Sequence, residues 1–130
     1  MLKSLVAITT LSASLLMANT ALADGDAKAG VLVFKKCTAC HTATEAKNKV
    51  GPHLVGIVGR ATASIAEYKY SKPMTDHAVK EPIWTEEALK AYLKDPKGVV
   101  EKTKMAFAGL KKDEDLANII AYLKDPAAAK

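Results

Sequence analysis

The chain has 130 residues, 49% of them hydrophobic, which is enough for one small domain and too short for several. Its formal charge of +5 raises the question of nucleic-acid binding. No stacking motif or recognition element accompanies the basic residues, however, so that function is not indicated. After the first 23 residues no apolar segment is long enough to span a bilayer.

Residues 1–23 have the layout of a secretory signal peptide, with a lysine at position 3, an apolar stretch and a small-residue cleavage site, Ala-Leu-Ala. A membrane anchor is the alternative, but the stretch is short of the ~20 apolar residues that a bilayer requires and no basic flank follows. We therefore predict cleavage, export to the periplasm and one domain over residues 24–130. Lys3 is the only charged residue removed, so this domain keeps 18 basic and 14 acidic side chains, a formal charge of +4.

Three helices and no strands are predicted in this domain. An apolar side and a leading aspartate indicate the first helix, over residues 26–36. Thr85 followed by two glutamates is typical of an N-cap, and the helix that it begins ends at Pro96. Acidic residues also begin the third helix, over residues 113–124, where leucine and isoleucine recur at helical spacing. Residues 42–83 show no such pattern and are predicted to be loop, so the fold class is all-α.

The hexapeptide AYLKDP occurs twice, at residues 91–96 and 121–126. The flanking sequences do not match, and true repeats usually need several copies. We interpret both copies as ends of amphipathic helices that are stopped by proline.

The only two cysteines, Cys37 and Cys40, stand with His41 in the motif CTACH. In an exported protein such a pair is compatible with a disulfide, whereas a thioredoxin-like site would need a strand–helix–strand context. Zinc sites usually have four ligands, and the other histidines form no second pair. Cys-x-x-Cys-His is also the attachment motif of c-type haem, in which both thiols bond the porphyrin and the histidine faces the iron. We favour haem attachment over the disulfide and zinc alternatives.

A closed electron-transfer haem also needs a second axial ligand, and Met/His ligation raises its reduction potential. The candidates after residue 23 are Met74, Met105, His53 and His77. We favour Met105 because it stands in TKMAFAGL, a stretch with no clear helical stripe. A loop can bring a thioether to a ring face more freely than a packed helix can.

The chain resembles the class I c-type cytochromes, most closely the branch of bacterial cytochrome c2 and the mitochondrial-like cytochromes c. The segments CTACH, GPHLVGIVGR, YKYSKPM, residues 84–96 and TKMAFAGLKK occur in the family's order. The resemblance covers essentially all of residues 24–130. It implies a small all-α cytochrome c fold, with helices and loops wrapped round one covalent haem c. Cys37 and Cys40 would hold this haem, with His41 and Met105 as axial ligands.

The same resemblance implies supporting roles. Pro52 matches the proline whose carbonyl accepts a hydrogen bond from the ligating imidazole, which fixes the ring and raises its basicity. Arg60, Tyr70 and Trp84 match residues that approach the haem propionates. Tyr92 and Thr103 match residues near the methionine sulfur. Phe107 matches an aromatic residue beside the haem edge. From spacing alone, Arg60 would be a surface charge and the aromatic residues would be core.

Three departures from the family pattern stand out. Glu101 and Lys102 occupy positions where the family often has Pro-Gly, and His53 replaces a common asparagine. Residues 73–83 differ from the mitochondrial pattern in sequence and length. Tyr68 therefore remains an alternative to Tyr70 at the propionate.

Lysines bracket the proposed haem contacts and can steer docking to an acidic partner, although a lysine run is usually only a solvated face. They are Lys35, Lys36, Lys97, Lys102, Lys104, Lys111 and Lys112.

We predict a soluble, monomeric one-electron carrier of the periplasm, not an enzyme. It would work between redox proteins such as a quinol–cytochrome c oxidoreductase and a terminal oxidase or photosynthetic reaction centre. It would need neither nucleic acid nor stable membrane insertion. The alternatives are a catalytic or gas-binding haem protein, which requires a vacant or labile sixth position, and a dithiol oxidoreductase with free or disulfide-linked cysteines.

Overall fold

The structure is a computed structural model that describes residues 25–130, so the predicted signal peptide lies outside the described residues. Its helices are α1 (Ala27–Phe34), α2 (Lys72–Lys80), α3 (Glu86–Lys94), α4 (Pro96–Val99), α5 (Asp113–Lys124) and a terminal 3-10 helix (Pro126–Ala129). Within residues 25–130 the only β-pairing is an isolated bridge between Ala61 and Ile83. The predicted all-α fold class is confirmed. No helix in this part of the chain has the length and apolar character needed to cross a lipid bilayer.

The three predicted helices form where their caps indicated. Asp26 caps α1, its side chain accepting hydrogen bonds from the amides of Lys28 and Ala29. Thr85 caps α3 by accepting from the amide of Ala88. The bounds of α5 match the prediction, and three acidic residues in its first turn suit the helix dipole. The first helix is shorter than predicted, because residues 35–36 already belong to the turns that lead into the CTACH motif.

The prediction that all of residues 42–83 are loop is wrong, because α2 lies within them. No residue of this helix is fully buried, so it lacks the apolar periodicity by which a helix is usually found. Its signals are local instead. The side chain of Ser71 accepts from the amide of Met74, and Pro73 stands in the first turn. An exposed ion pair between Lys72 and Asp76 spans one turn, at 2.8 Å.

Both copies of AYLKDP end a helix, as interpreted from the sequence, and both begin another one. Asp95 and Asp125 take nearly the same backbone conformation, with φ and ψ of −147° and 79° and of −148° and 83°. Each aspartate then caps the short helix that its following proline starts. Asp95 accepts from the amide of Gly98, and Asp125 accepts from the amides of Ala127 and Ala128.

The two terminal helices, α1 and α5, pack closely on one another. Gly30 faces α5 so tightly that a Cβ atom would lie 2.6 Å from the Cβ atom of Tyr122, and closer still to the carbonyl oxygen of Asn118. Beside this contact the rings of Phe34 and Tyr122 lie 5.2 Å apart. The amide of Asp26 donates to the side-chain oxygen of the buried Asn118, at 2.8 Å. This packing fixes the end of α1, from which the CTACH motif continues.

We predict that Gly30→Ala destabilises the protein by about 2–3 kcal/mol, because the added methyl group must push α1 and α5 apart. Denaturant unfolding of the holoprotein measures this free energy. Lys28→Ala, an exposed change on the same helix, is the control and should stay within about 0.5 kcal/mol of wild type. Equal stability of the Gly30→Ala and Lys28→Ala proteins would contradict the close packing.

Candidate functional site

The CTACH motif folds back on itself after α1. The amide of Cys37 donates to the carbonyl of Phe34 at 2.7 Å, and the amides of Cys40 and His41 donate to the carbonyl of Cys37 at 3.1 and 2.9 Å. These turns bring both sulfur atoms and the imidazole to the wall of one cavity. Burial raises the pKa of the Cys37 thiol, which favours its uncharged form.

The imidazole of His41 is held from two sides. Its Nδ1 atom lies 2.7 Å from the carbonyl oxygen of Pro52, and since a carbonyl only accepts, Nδ1 carries the proton and Nε2 keeps its lone pair. Burial lowers the pKa of His41, which favours the neutral ring that can bind a metal. Gly51 packs against the ring, and a Cβ atom there would lie 2.7 Å from Nδ1 and nearer still to Cε1.

A cavity of about 290 Å³ collects most of the predicted site residues. The ones that line it are Cys37, Cys40, His41, Pro52, Tyr70, Trp84, Tyr92, Thr103, Met105 and Phe107. Most of the remaining wall is aliphatic. Of the four candidate axial ligands, both methionines line this cavity, whereas His53 and His77 do not. The ring of His77 instead packs beside the Trp84 indole, with centroids 5.6 Å apart.

The Met105 side of the cavity is organised by hydrogen bonds to one threonine. The hydroxyls of Tyr92 and Thr103 lie 2.9 Å apart, and the amide of Met105 donates to the Thr103 hydroxyl at 3.3 Å. The amide of Thr103 donates in turn to the carbonyl of Val100 at 2.9 Å. Burial raises the pKa of Tyr92, so this phenol keeps its proton. The backbone that leads into Met105 is therefore fixed.

Tyr68 and Tyr70 both line the cavity, but their hydroxyls are used differently. The Tyr68 hydroxyl donates its only proton to the carbonyl of Val50, at 2.9 Å. The Tyr70 hydroxyl accepts from the amide of Ile65, at 3.2 Å, and so keeps its own proton free to donate. A carboxylate in the cavity would thus find a donor at Tyr70.

Arg60 lies outside the cavity lining, behind the segment that holds His41. Its Nη1 atom donates to the carbonyls of His53 and Val55, at 3.0 and 3.1 Å. Its Nε atom is buried and has no hydrogen-bond partner within residues 25–130. Burial lowers the pKa of Arg60 and the neighbouring Tyr70 opposes this shift. A half-buried guanidinium with a spare donor beside Tyr70 is suited to a nearby anion or an internal water molecule.

Trp84 is 6% exposed and is fixed by its backbone as well as its ring. Its amide donates to the carbonyl of Arg60 at 2.9 Å, and its carbonyl accepts from the amide of Gly59 at 2.7 Å. The indole lies 5.3 Å from the ring of Tyr92. These contacts join the Arg60 segment to the Met105 side of the cavity.

Sequence reasoning did not assign several residues that the structure brings to the site. Gly51 fits against the imidazole, and the side chains of Leu54, Ile57 and Leu89 line the cavity. A glycine directly before the predicted hydrogen-bonding proline was the available signal for Gly51. The aliphatic residues carried no such signal, because in the sequence they look like ordinary core.

Lys102 has a positive φ of 61°, a conformation that favours glycine. It stands where the resembled family often has glycine. The Met105 loop therefore keeps a left-handed turn at this position although the side chain there is a lysine.

Comparison with known proteins gives a consistent family. The family model described as cytochrome c matches residues 27–126. A cytochrome c2 of Afifella marina is 46% identical over 97 residues, covering 74% of this chain and 78% of that protein. A cytochrome c-550 of Nitrobacter winogradskyi is 48% identical over 100 residues, covering 76% and 89%. The solved structure of cytochrome cH from Methylobacterium extorquens superposes with a TM-score of 0.70 at 40% identity, covering 77% of this chain and 98% of its own.

We predict that Lys102→Gly raises the free energy of unfolding by about 0.5–1 kcal/mol, because glycine relieves the left-handed strain but adds freedom to the unfolded chain. Denaturant unfolding of the holoprotein provides the measurement. Lys97→Gly is the control: it removes an exposed lysine inside α4 and should destabilise the protein by about 0.5–1 kcal/mol. Destabilisation by both changes would mean that Lys102 is not strained.

Proposed function

The chain belongs to the cytochrome c family, whose members carry electrons on covalently bound haem c, and we propose that it is a soluble one-electron carrier of the periplasm. Cys37 and Cys40 fit the attachment motif of this haem. When bound, haem c supplies an iron that cycles between the ferrous and ferric states. The remaining task of the chain is to hold that iron in one geometry and to present one edge of the cofactor to partners.

One observation carries the proposal: His41 and Met105 line the same cavity. When haem is bound, they would both hold its iron, because the unprotonated Nε2 atom of the imidazole and a thioether form a closed ligand pair. With the iron held by two protein ligands, no site would be left for a substrate or a gas. This favours a carrier over a catalytic or gas-binding haem protein, the competing function.

The surrounding residues fit a group that is apolar over most of its area and anionic at one side. The hydrogen bond from His41 to Pro52 would raise the donor strength of the imidazole, and Thr103 would hold the Met105 backbone in place. Tyr70 keeps a proton to donate toward a propionate, with Trp84 and the spare Nε atom of Arg60 as further donors.

Docking is assigned to the face where the cavity opens. Lys36 and Lys104 line the cavity itself, and Val50, also in its wall, is 69% exposed. An exposed apolar residue and two lysines in the wall of one cavity suit brief contact with an acidic redox partner. The partner class that we propose is a quinol–cytochrome c oxidoreductase as donor, with a terminal oxidase or photosynthetic reaction centre as acceptor.

The first test of the function is the sixth ligand. Met105→Ala should leave haem attached but lower the reduction potential by on the order of 0.1 V, since the thioether that stabilises ferrous iron is lost. Optical spectra should show loss of the low-spin thioether signature. Potentiometric titration and the spectrum of the ferric protein provide the measurements.

Met74→Ala is the matched control, because it removes the other thioether in the cavity wall. It should keep the thioether signature. If Met74→Ala removed that signature and Met105→Ala did not, the ligand assignment would be reversed. A wild-type protein with a five-coordinate spectrum would favour the catalytic or gas-binding alternative.

The second test concerns docking. We predict that electron transfer to an isolated terminal oxidase slows as ionic strength rises in the second-order regime, because a patch of one sign accelerates encounter only while it is unscreened. Lys36→Glu, a change of an exposed lysine in the cavity wall, should slow the low-salt rate several-fold. Lys130→Glu is the control and should have little effect, since Lys130 neither lines the cavity nor lies in a segment that does. Stopped-flow rates that are flat across the salt series and equal for both variants would indicate apolar docking instead.

A further inference from the structure

The side chain of Tyr68 lies where three separate segments of the chain meet. Its hydroxyl donates to the carbonyl of Val50 at 2.9 Å. Its ring meets the ring of Tyr70 edge-on, with centroids 4.9 Å apart. On the ring face, the Nζ atom of Lys104 lies 5.7 Å from the centroid, within the range of a cation–π contact. Tyr68 also lines the haem cavity, and because its hydroxyl proton is used by Val50, the propionate role falls to Tyr70 and leaves Tyr68 for another one.

The Val50 end of this arrangement is tied to His41. Val50 directly precedes Gly51, which packs against the imidazole, and Pro52, whose carbonyl holds Nδ1. The amide of Gly51 donates to the carbonyl of Cys40 at 2.9 Å, so the segment is bonded to the CTACH motif as well. A bond to the Val50 carbonyl therefore acts on the backbone that positions the ring.

The Lys104 end is tied to Met105. Lys104 stands between Thr103, whose hydroxyl accepts from the Met105 amide, and Met105 itself. This stretch follows the strained Lys102, which disfavours the loop in its observed conformation. A contact that holds Lys104 stabilises the observed loop conformation against that strain, one residue away from Met105.

We propose that Tyr68 is a positioning residue that clasps the two ligand-bearing segments together, by its hydrogen bond to Val50 and its ring contact with Lys104. The clasp spans from the backbone around His41 to the loop that carries Met105. It keeps the Met105 loop closed over the cavity and so sets how often the sixth position opens. The idea rests on the proposed Met105 ligation, and its consequence is kinetic: neither ligand changes, only the opening rate of the loop.

The experiment is a double-mutant cycle on the ferric holoprotein, with neutral imidazole as the competing ligand. At saturating imidazole the rate of thioether displacement equals the opening rate of the loop. Lys104→Gln should raise that rate about two- to fivefold, the effect expected for an exposed cation–π contact. Tyr68→Phe keeps the ring but removes the bond to Val50, and should raise the rate roughly fivefold.

The cycle is closed with Tyr68→Leu, which removes both contacts. In that background Lys104→Gln should have no further effect, whereas Lys104→Arg in the wild-type background should keep the slow rate because a guanidinium also binds the ring. Lys69→Gln is the matched control: it removes a charge from the exposed residue next to Tyr68 and should leave the rate unchanged. An equal effect of Lys104→Gln with and without the Tyr68 ring overturns the clasp.

Hydrogen exchange separates failure of the clasp from failure of the ligand assignment. If imidazole displaces no thioether from the wild-type protein, the assignment of Met105 is wrong, but exchange can still be measured. The amides of Thr103 and Phe107 are bonded within the Met105 loop, at 2.9 Å to the carbonyl of Val100 and 3.0 Å to that of Met105. In the Tyr68→Leu holoprotein both should exchange several-fold faster, while amides of α5 should not change. If both loop amides of the Tyr68→Leu holoprotein exchanged at the wild-type rate, the proposal would be overturned.

Discussion

The contact of α1 with α5 through Gly30 is the constraint on which the rest of the molecule depends. It fixes the direction in which α1 ends, and the turns that bear Cys37, Cys40 and His41 follow within seven residues of that end. A small chain has little core with which to enforce such a position. The close approach of the α1 and α5 backbones at Gly30 supplies this constraint instead, and the aromatic contact of Phe34 with Tyr122 strengthens it.

Beyond this contact, most of the cavity wall is loop, and hydrogen bonds to backbone take the place of helix packing. Pro52 holds the imidazole, Thr103 holds the Met105 amide, and the Trp84 backbone holds Arg60. The first two bonds each join a side chain to the backbone, and the third joins two backbone segments. The geometry of the site therefore depends on a few backbone hydrogen bonds between loops.

How much could be foreseen from the sequence depends on where each signal lies. Caps are local, so Asp26 and Thr85 predicted their helices, and AYLKDP predicted two helix ends. The helix α2 was missed because most of its surface is exposed to solvent, so its sequence has no apolar stripe. At the site, CTACH and the family resemblance supplied ten of the residues that line the cavity, together with Arg60, which lies outside the lining. The different uses of the Tyr68 and Tyr70 hydroxyls could not be foreseen, because they depend on the carbonyl of Val50 and the amide of Ile65, which only the folded chain brings near.

The sparse packing of α2 has a consequence for the tolerance of the fold to insertion. Because none of its residues is buried and it packs on no other helix within residues 25–130, its outer turn is a place where length can change at small cost to the core. Asp76 and Val79 are exposed there, with Val79 84% accessible. A tether or an electrode linker grafted at this turn would leave the α1–α5 contact untouched. The fold thus offers an attachment point for immobilising the protein without rebuilding its core.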